Sequence, residues 1–325
     1  MLQRRHALWA FASLASAAAV PGLVHAQGPW PNRPVRFVVG FAPGGPADII
    51  ARLLGVRLGE ALGQPVVVEN RPGAGGSVAS GVVAKAEPDG YTLLVNTSSL
   101  AVNAGMGRNL GFDTERDLVL ASLVASSPNL IVGAPQLPAK TLKGVMAAAA
   151  SGKYNYGTAG AGTTPQLSAE YLFKVLGKVD VTHVPFQGAG PALNATMAGQ
   201  VELASVALPS AVELVKAGRV VGLAVTSRKR VAAIPDVPTV AESGFSDFED
   251  YTWVGVLAPS RTPAAIVQRL NAEIAAIQRS ADFQAKLAQA GFEVMGGSTQ
   301  DASTYFKSEL VKWAKVIKET GATPN

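Results

Sequence analysis

Residues 36–62 read RFVVGFAPGGPADIIARLLGVRLGEAL, and the change of rhythm inside this stretch decides the fold. From Arg36 to Phe41 apolar and β-branched residues run almost without interruption, as in a strand buried on both faces. Gly44 and Gly45 then punctuate the chain. Pro46 suits the first helical position, where a missing N–H costs nothing, and apolar residues recur every three or four positions as far as Leu62. A buried strand turning directly into a helix is the repeating unit of an α/β protein with a mostly parallel sheet.

The alternation continues along the chain. Strands are expected at residues 66–69, 92–96, 130–133, 154–156, 181–184, 201–206, 222–226 and 254–257. Helices are expected at 77–86, 142–150, 165–176, 191–198, 263–279, 281–290 and 301–319. The reading is therefore two mostly parallel sheets with helices on both faces, and 325 residues suit two domains better than one core.

Composition narrows the chemistry. With no cysteine, iron–sulfur clusters, thiol nucleophiles and disulfides are excluded. Arg4 and Arg5, the apolar run 7–20, the break at Pro21 and Gly22 and the small residues Val24 and Ala26 spell a secretory signal peptide over residues 1–26. Its removal takes two arginines and no acid from a net charge of +5. The remaining basic cluster, Arg228–Arg230, lacks interleaved aromatics, so no nucleic-acid partner is expected. His6 and His25 leave with the signal, so His183 remains alone and no paired-histidine metal site can form. It reads as a buried, hydrogen-bonded strand residue, not a catalytic base.

A weak internal repeat marks the functional candidates. Phe41-Ala42-Pro43-Gly44-Gly45-Pro46-Ala47 and Phe186-Gln187-Gly188-Ala189-Gly190-Pro191-Ala192 share Phe, Gly, Pro and Ala at matching offsets, each between a strand and a helix. A third glycine-rich turn spans 157–164. Glycine lets backbone approach a ligand, and a helix N-terminus offers free N–H groups with partial positive charge. No Gly-Lys-Ser/Thr, complete Gly-x-Gly-x-x-Gly or Gly-x-Ser-x-Gly motif occurs, so a small carboxylate is favoured over phosphate and no cofactor is expected.

The ordered motifs then resemble a known family. Phe41-Ala42-Pro43-Gly44-Gly45 with Asp48, Gln64-Pro65-Val66-Val67-Val68-Glu69-Asn70-Arg71-Pro72-Gly73-Ala74-Gly75-Gly76, Pro88-Asp89-Gly90-Tyr91-Thr92, His183-Val184-Pro185-Phe186, Pro235-x-Val237-Pro238-Thr239 and Trp253-x-Gly255 together resemble the substrate-binding receptors of tripartite tricarboxylate transporters, the Bug receptors. The resemblance implies a two-domain periplasmic binding protein of type II, a Venus flytrap, with domain 1 at residues 28–126 plus 252–325 and domain 2 at 127–251. It implies a non-enzymatic, monomeric periplasmic receptor that captures a small organic carboxylate between the domains and delivers it to the permease subunits. A sensory receptor handing the closed form to a membrane signalling partner is the alternative.

Carried over by resemblance, the ligand contacts are Phe41, Ala42, Gly44, Gly45, Asp48, Asn96, Thr97, Ser98 and Ser99 from domain 1. From domain 2 come Thr158, Ala159, Gly160, Gly162, Thr163, Phe186 and Ser205. Where family members often carry His this chain has Gln166, where they carry Tyr-Lys it has Phe186-Gln187, and the stretch Ala204-Ser205-Val206-Ala207 lacks the usual polar groups. These departures point to a less hydrophilic pocket, suited to a monocarboxylate or aromatic acid.

Overall fold

The computed structural model describes residues 30–322 apart from 108, 109, 153 and 247. The expected signal peptide lies outside them. Strand β1 (Val35–Val39) leads into α1 (Pro46–Leu62), β2 (Val66–Asn70), α2 (Ser77–Ala84), β3 (Thr92–Thr97), α3 (Ser99–Gly105) and α4 (Thr114–Asp117). Next come β4 (Leu118–Gly133), α5 (Leu142–Ala149), β5 (Tyr154–Thr158), and α6 (Thr164–Glu170) prolonged by a π-helical turn at Tyr171–Leu176. They are followed by β6 (Val181–Pro185), α7 (Ala189–Met197), β7 (Leu203–Ala207), α8 (Val212–Lys216) and β8 (Val221–Val225). Then come β9 (Tyr251–Pro259), α9 (Ala264–Gln278), α10 (Ala281–Gln289), β10 (Glu293–Val294) and α11 (Thr299–Thr320).

Local signals account for the best-defined helices. In α1, Pro46 opens the first turn, Ile50, Leu54, Leu58 and Leu62 repeat at helical spacing on the buried face, and Gly63 ends the helix in the left-handed conformation. Helix α11 starts from a capping box, with Ser298 and Asp301 each bonding the other's backbone N–H, and stops at left-handed Gly321. Its buried stripe is Ala302, Phe306, Glu309 and Trp313.

The strands form one continuous path, β2-β1-β3-β9-β4-β7-β5-β6, with β8 and β10 also pairing with β4. The two expected sheets are thus joined at the seam. Parallel pairing holds on the flanks, β2 and β3 with β1 and β6 and β7 with β5, but the centre departs from it. There β4 pairs antiparallel with β9, β7, β8 and β10, and β3 pairs antiparallel with β9. The reason is topological. The chain leaves the first half along β4 and returns along β9, and strands running out and back through one seam must oppose each other.

Each half buries its own core. In the first, α1 packs with Val35, Phe37 and Val39 of β1 and with Leu270 and Ile274 of α9, while Phe306 and Trp313 of α11 cover Leu120, Leu123 and Trp253 on the opposite face. In the second, Val145 and Phe173 pack around Tyr156, and Leu193 of α7 packs with Leu130, Val132 and Val206. Among the described residues no helix is long and apolar enough to cross a membrane.

One polar group sits deep in the α11 interface. The buried Glu309 carboxylate accepts from the indole N–H groups of Trp253 and Trp313, both at 3.0 Å, and lies 3.5 Å from Lys312 Nζ. Glu309→Leu leaves two buried donors unpaired and is expected to cost about 2–4 kcal/mol, with Glu309→Gln losing less; urea denaturation measures both.

Candidate functional site

Where the halves meet, the ends of β1, β3, β5 and β6 bring four helix beginnings together. The space between them, about 320 Å³ with the part open to solvent included, is lined from the first half by Phe41, Gly45, Pro46, Thr97 and Ser99. The second half contributes Ala159, Thr163, Pro165, Ala189 and Ala207, and β9 contributes Thr252. No lining residue carries a charge. Gly45 and Pro46 begin α1, Ser99 begins α3, Thr163 precedes α6 and Ala189 begins α7. The first N–H groups of a helix have no intrahelical acceptor, so these starts concentrate free donors and partial positive charge on one small space.

Several amides expected to serve a ligand are already engaged. Gly44 N–H donates to Asp48 Oδ2 at 3.0 Å, Gly160 N–H to Thr158 Oγ1 at 3.2 Å and Gly162 N–H to Gln166 Oε1 at 2.7 Å. Those of Gly45, Ala159 and Thr163 have no partner among the described residues. The hydroxyls are partly committed too. Thr163 donates to Gly160 O at 2.8 Å, Thr97 to Ser99 Oγ at 2.9 Å and Thr252 to Asn129 Oδ1 at 2.7 Å. Each of these three keeps only lone pairs for a guest, whereas the Ser99 proton is uncommitted.

Of the residues carried over from the sequence, Phe41, Gly45, Thr97, Ser99, Ala159 and Thr163 line the cavity. The others stand behind or beside it. Asp48 is buried and paired with Arg52 at 2.9 Å, and Asn70 also donates to it. Burial by itself would raise the Asp48 carboxyl, but Arg52, the Gly44 amide and Asn70 outweigh it and hold the group below the usual carboxylate range. Gly44, Arg52 and Asn70 saturate this acid, and it does not line the cavity.

Asn96 donates to Ser80 Oγ at 2.9 Å, and Phe186 packs its ring over Gly157. Ser205 donates to Pro165 O at 2.7 Å. Ala42 N–H reaches across the seam to Gln187 O at 3.2 Å, and Ser98 Oγ lies 3.0 Å from Thr164 Oγ1, so both tie the halves together. Pro46, Pro165, Ala189, Ala207 and Thr252 were missed. The two prolines and Ala189 had a signal in the strand-to-helix turns. Ala207 had one in the stretch 204–207 read as a pocket wall, whereas Thr252 had none, being an ordinary residue in an apolar strand.

His183 supports the glycine-rich turn through Thr158. Its Nε2 lies 2.7 Å from Thr158 Oγ1, and its ring lies 5.1 Å from that of Tyr156, whose hydroxyl donates to Glu170 at 2.9 Å. Burial depresses the imidazole to about 4, more than nearby Glu170 can offset. Among the described residues no group of three or more His, Asp or Glu is placed to hold a metal ion.

Comparison with known proteins adds to this geometry. The profile of the family described as "Tripartite tricarboxylate transporter family receptor" matches residues 50–322. Protein BugT of Bordetella pertussis is 35% identical over 298 residues, spanning 90% of this chain and 91% of its own. An R. palustris structure with adipate superposes with a TM-score of 0.87 at 37% identity, covering 90% of this chain and 99% of that one. MatC from Rhodopseudomonas palustris with bound malate gives 0.84 at 33% identity, covering 88% and 99%.

The depressed His183 has a sign that can be checked. The unfolded chain binds this proton from pH 6.5 downward while the folded chain resists until about 4, so stability present above pH 6.5 is lost as pH falls through that window. The expected loss is up to roughly 3 kcal/mol. Urea midpoints across this range should fall less steeply in His183→Gln than in the parent.

Proposed function

Because the chain belongs to the tripartite tricarboxylate transporter receptor family, we propose that it captures a small organic carboxylate between its halves and hands it to the permease subunits of such a transporter. Its architecture is that of the two-domain, type II periplasmic binding proteins. The observation that carries the proposal is a cavity without a charged side chain, walled by helix N-termini. An anion placed there meets oriented N–H groups and the positive ends of the helices, with no counter-charge to desolvate.

The acids bound by the neighbouring structures, adipate and malate, are of the same chemical kind. Here the apolar part of the lining, Phe41, Pro46, Ala159, Pro165, Ala189 and Ala207, favours a monocarboxylate or aromatic acid over a tricarboxylate. Domain 1 comprises residues 28–126 with 252–325 and domain 2 residues 127–251, the hinge being the two crossings along β4 and β9. A ligand touching both domains only when they are closed shifts the population toward the closed form, which a permease can recognise. No bond is made or broken. A periplasmic site of action, with a monomer as the working unit, is supported by the family and by the leader pattern read at residues 1–26.

A thermal-shift screen of refolded, ligand-stripped protein against mono-, di- and tricarboxylates and amino acids tests the reading. A true ligand at 100-fold excess over its Kd should add about 2.7 kcal/mol. Ala159→Asp sets a like charge against the guest and is expected to abolish the shift, with circular dichroism of the empty variant checking that it folds. A shift with amino acids alone overturns the ligand class, and unchanged affinity in Ala159→Asp overturns the site.

A further inference from the structure

Asn103, on α3, is 1% exposed and does not line the cavity. Its Nδ2 lies 2.8 Å from Ser99 O, 3.2 Å from Gly75 O and 2.9 Å from Gly162 O. Ser99 and Gly75 belong to the first half, whereas Gly162 belongs to the glycine turn of the second. We propose that Asn103 is a positioning residue for ligand capture: its carboxamide holds the turn that carries Thr163 against the first half, so affinity depends on a side chain that never touches the ligand. The proposal rests on the reading that a carboxylate is bound between the halves.

The orientation of the carboxamide is fixed. Turned over, it would aim its oxygen at three carbonyl oxygens, so the NH2 group must face them. Its Oδ1 is then buried without a partner, a cost incurred when the second half covers it and relieved when water can reach it. Gly162 is held from the other side, because its N–H donates to Gln166 within its own half.

Only glycine permits this approach. A Cβ on Gly162, at φ +80°, would fall 2.4 Å from Asn103 Oδ1, and one on Gly75, at φ +60°, would fall 2.5 Å from Ala161 O. The Asn103–Gly162 bond therefore exists only when the halves are together. It contributes to the closed state alone, which is the requirement for shifting a two-state population.

The test uses the absence of native cysteine. Val78→Cys and Gln187→Cys, one exposed site in each half, carry spin labels whose separation reports closure. Distance distributions are measured without ligand and with benzoate, adipate, malate or citrate, in the otherwise unchanged protein and with Asn103→Asp or Asn103→Ala. Asn103→Asp keeps the shape but replaces the donors with a charge facing carbonyls, and Asn103→Ala removes the group without repulsion.

Any acid that closes the parent should need roughly tenfold or more higher concentration in Asn103→Asp, with a smaller increase in Asn103→Ala. Both variants should also lower the melting temperature of the empty protein, because the bonds to Ser99 O and Gly75 O lie within the first half, so the readouts that a merely structural role would leave unmoved are the closed fraction and the half-saturation. The ligand-free closed fraction should also fall in both variants. A parent unmoved by all four acids counts against the carboxylate reading and leaves the ligand-free comparison to judge Asn103. Equal closed fractions and equal half-saturation in parent and Asn103→Ala overturn the proposal.

Discussion

The antiparallel pairing of β4 with β9 is the constraint on which the rest of the structure depends. The two strands run together from Leu118 opposite Pro259 to Pro128 opposite Tyr251, and β4 then continues into the second half to pair with β7 and β8. Register shifts between Leu120 and Ser122 and between Leu123 and Ala125 add local twist as the strand passes from one half to the other. Every other element is attached to this seam. The parallel flanks grow outward from it, and the ends of β1, β3, β5 and β7 that lie beside it all face the same cavity.

That placement explains how a binding cavity can be built with so little charge. A strand end followed by a helix start delivers backbone N–H groups to a point, and β-to-α connections on both sides of the seam deliver them to the same point. Glycine and proline in these turns keep side chains out of the way. The engaged amides of Gly44, Gly160 and Gly162 serve a second purpose, since each is held by a side chain of its own turn, Asp48, Thr158 or Gln166, and so fixes the turn's shape before any ligand arrives. Preorganised donors lose little on binding.

How much of this was legible depended on where the residues sit. Helix α1 could be read to its last residue because Pro46 and Gly63 mark its ends and the apolar spacing between them is regular. The turn glycines and Phe41 stood out for the same reason. Strand β4 was legible only over its last four residues, since Ser126, Ser127 and Pro128 interrupt the apolar pattern that marks a strand. Asn129, next in the strand, is polar because it pairs at the seam with Ser168, Asp250 and Thr252, so tertiary context overrides local pattern. Helix α3 escaped because Ser99–Gly105 is too short for periodicity to show. Nor can spacing show that Gln166 occupies the Gly162 amide or that Asp48 is saturated, because both depend on rotamers.

The polar residues of the seam form a chain whose direction is forced. The buried Asp250 carboxylate binds Lys312 at 3.1 Å and accepts from Ser168 and, at 2.8 Å, from Asn129 Nδ2. Burial pushes this carboxyl above its ordinary value, and Lys312 and Ser168 only partly pull it back. A carboxylate beside Asn129 turns the amide N–H groups toward itself, which leaves Asn129 Oδ1 to accept from Thr252 at 2.7 Å. Thr252 then has no proton for Thr164, 2.7 Å away, so Thr164 must donate to Thr252 and Ser98 to Thr164. One charge at the back of the seam thereby sets the hydroxyl directions as far as the cavity wall. The same chain passes through α11, β4, β9, α6 and the end of β3, and so joins both halves through groups that ordinary strand residues would lack. Asn129 in β4 and Thr252 in β9 weaken the apolar pattern of the seam strands because their side chains are committed to this chain and not to an apolar core.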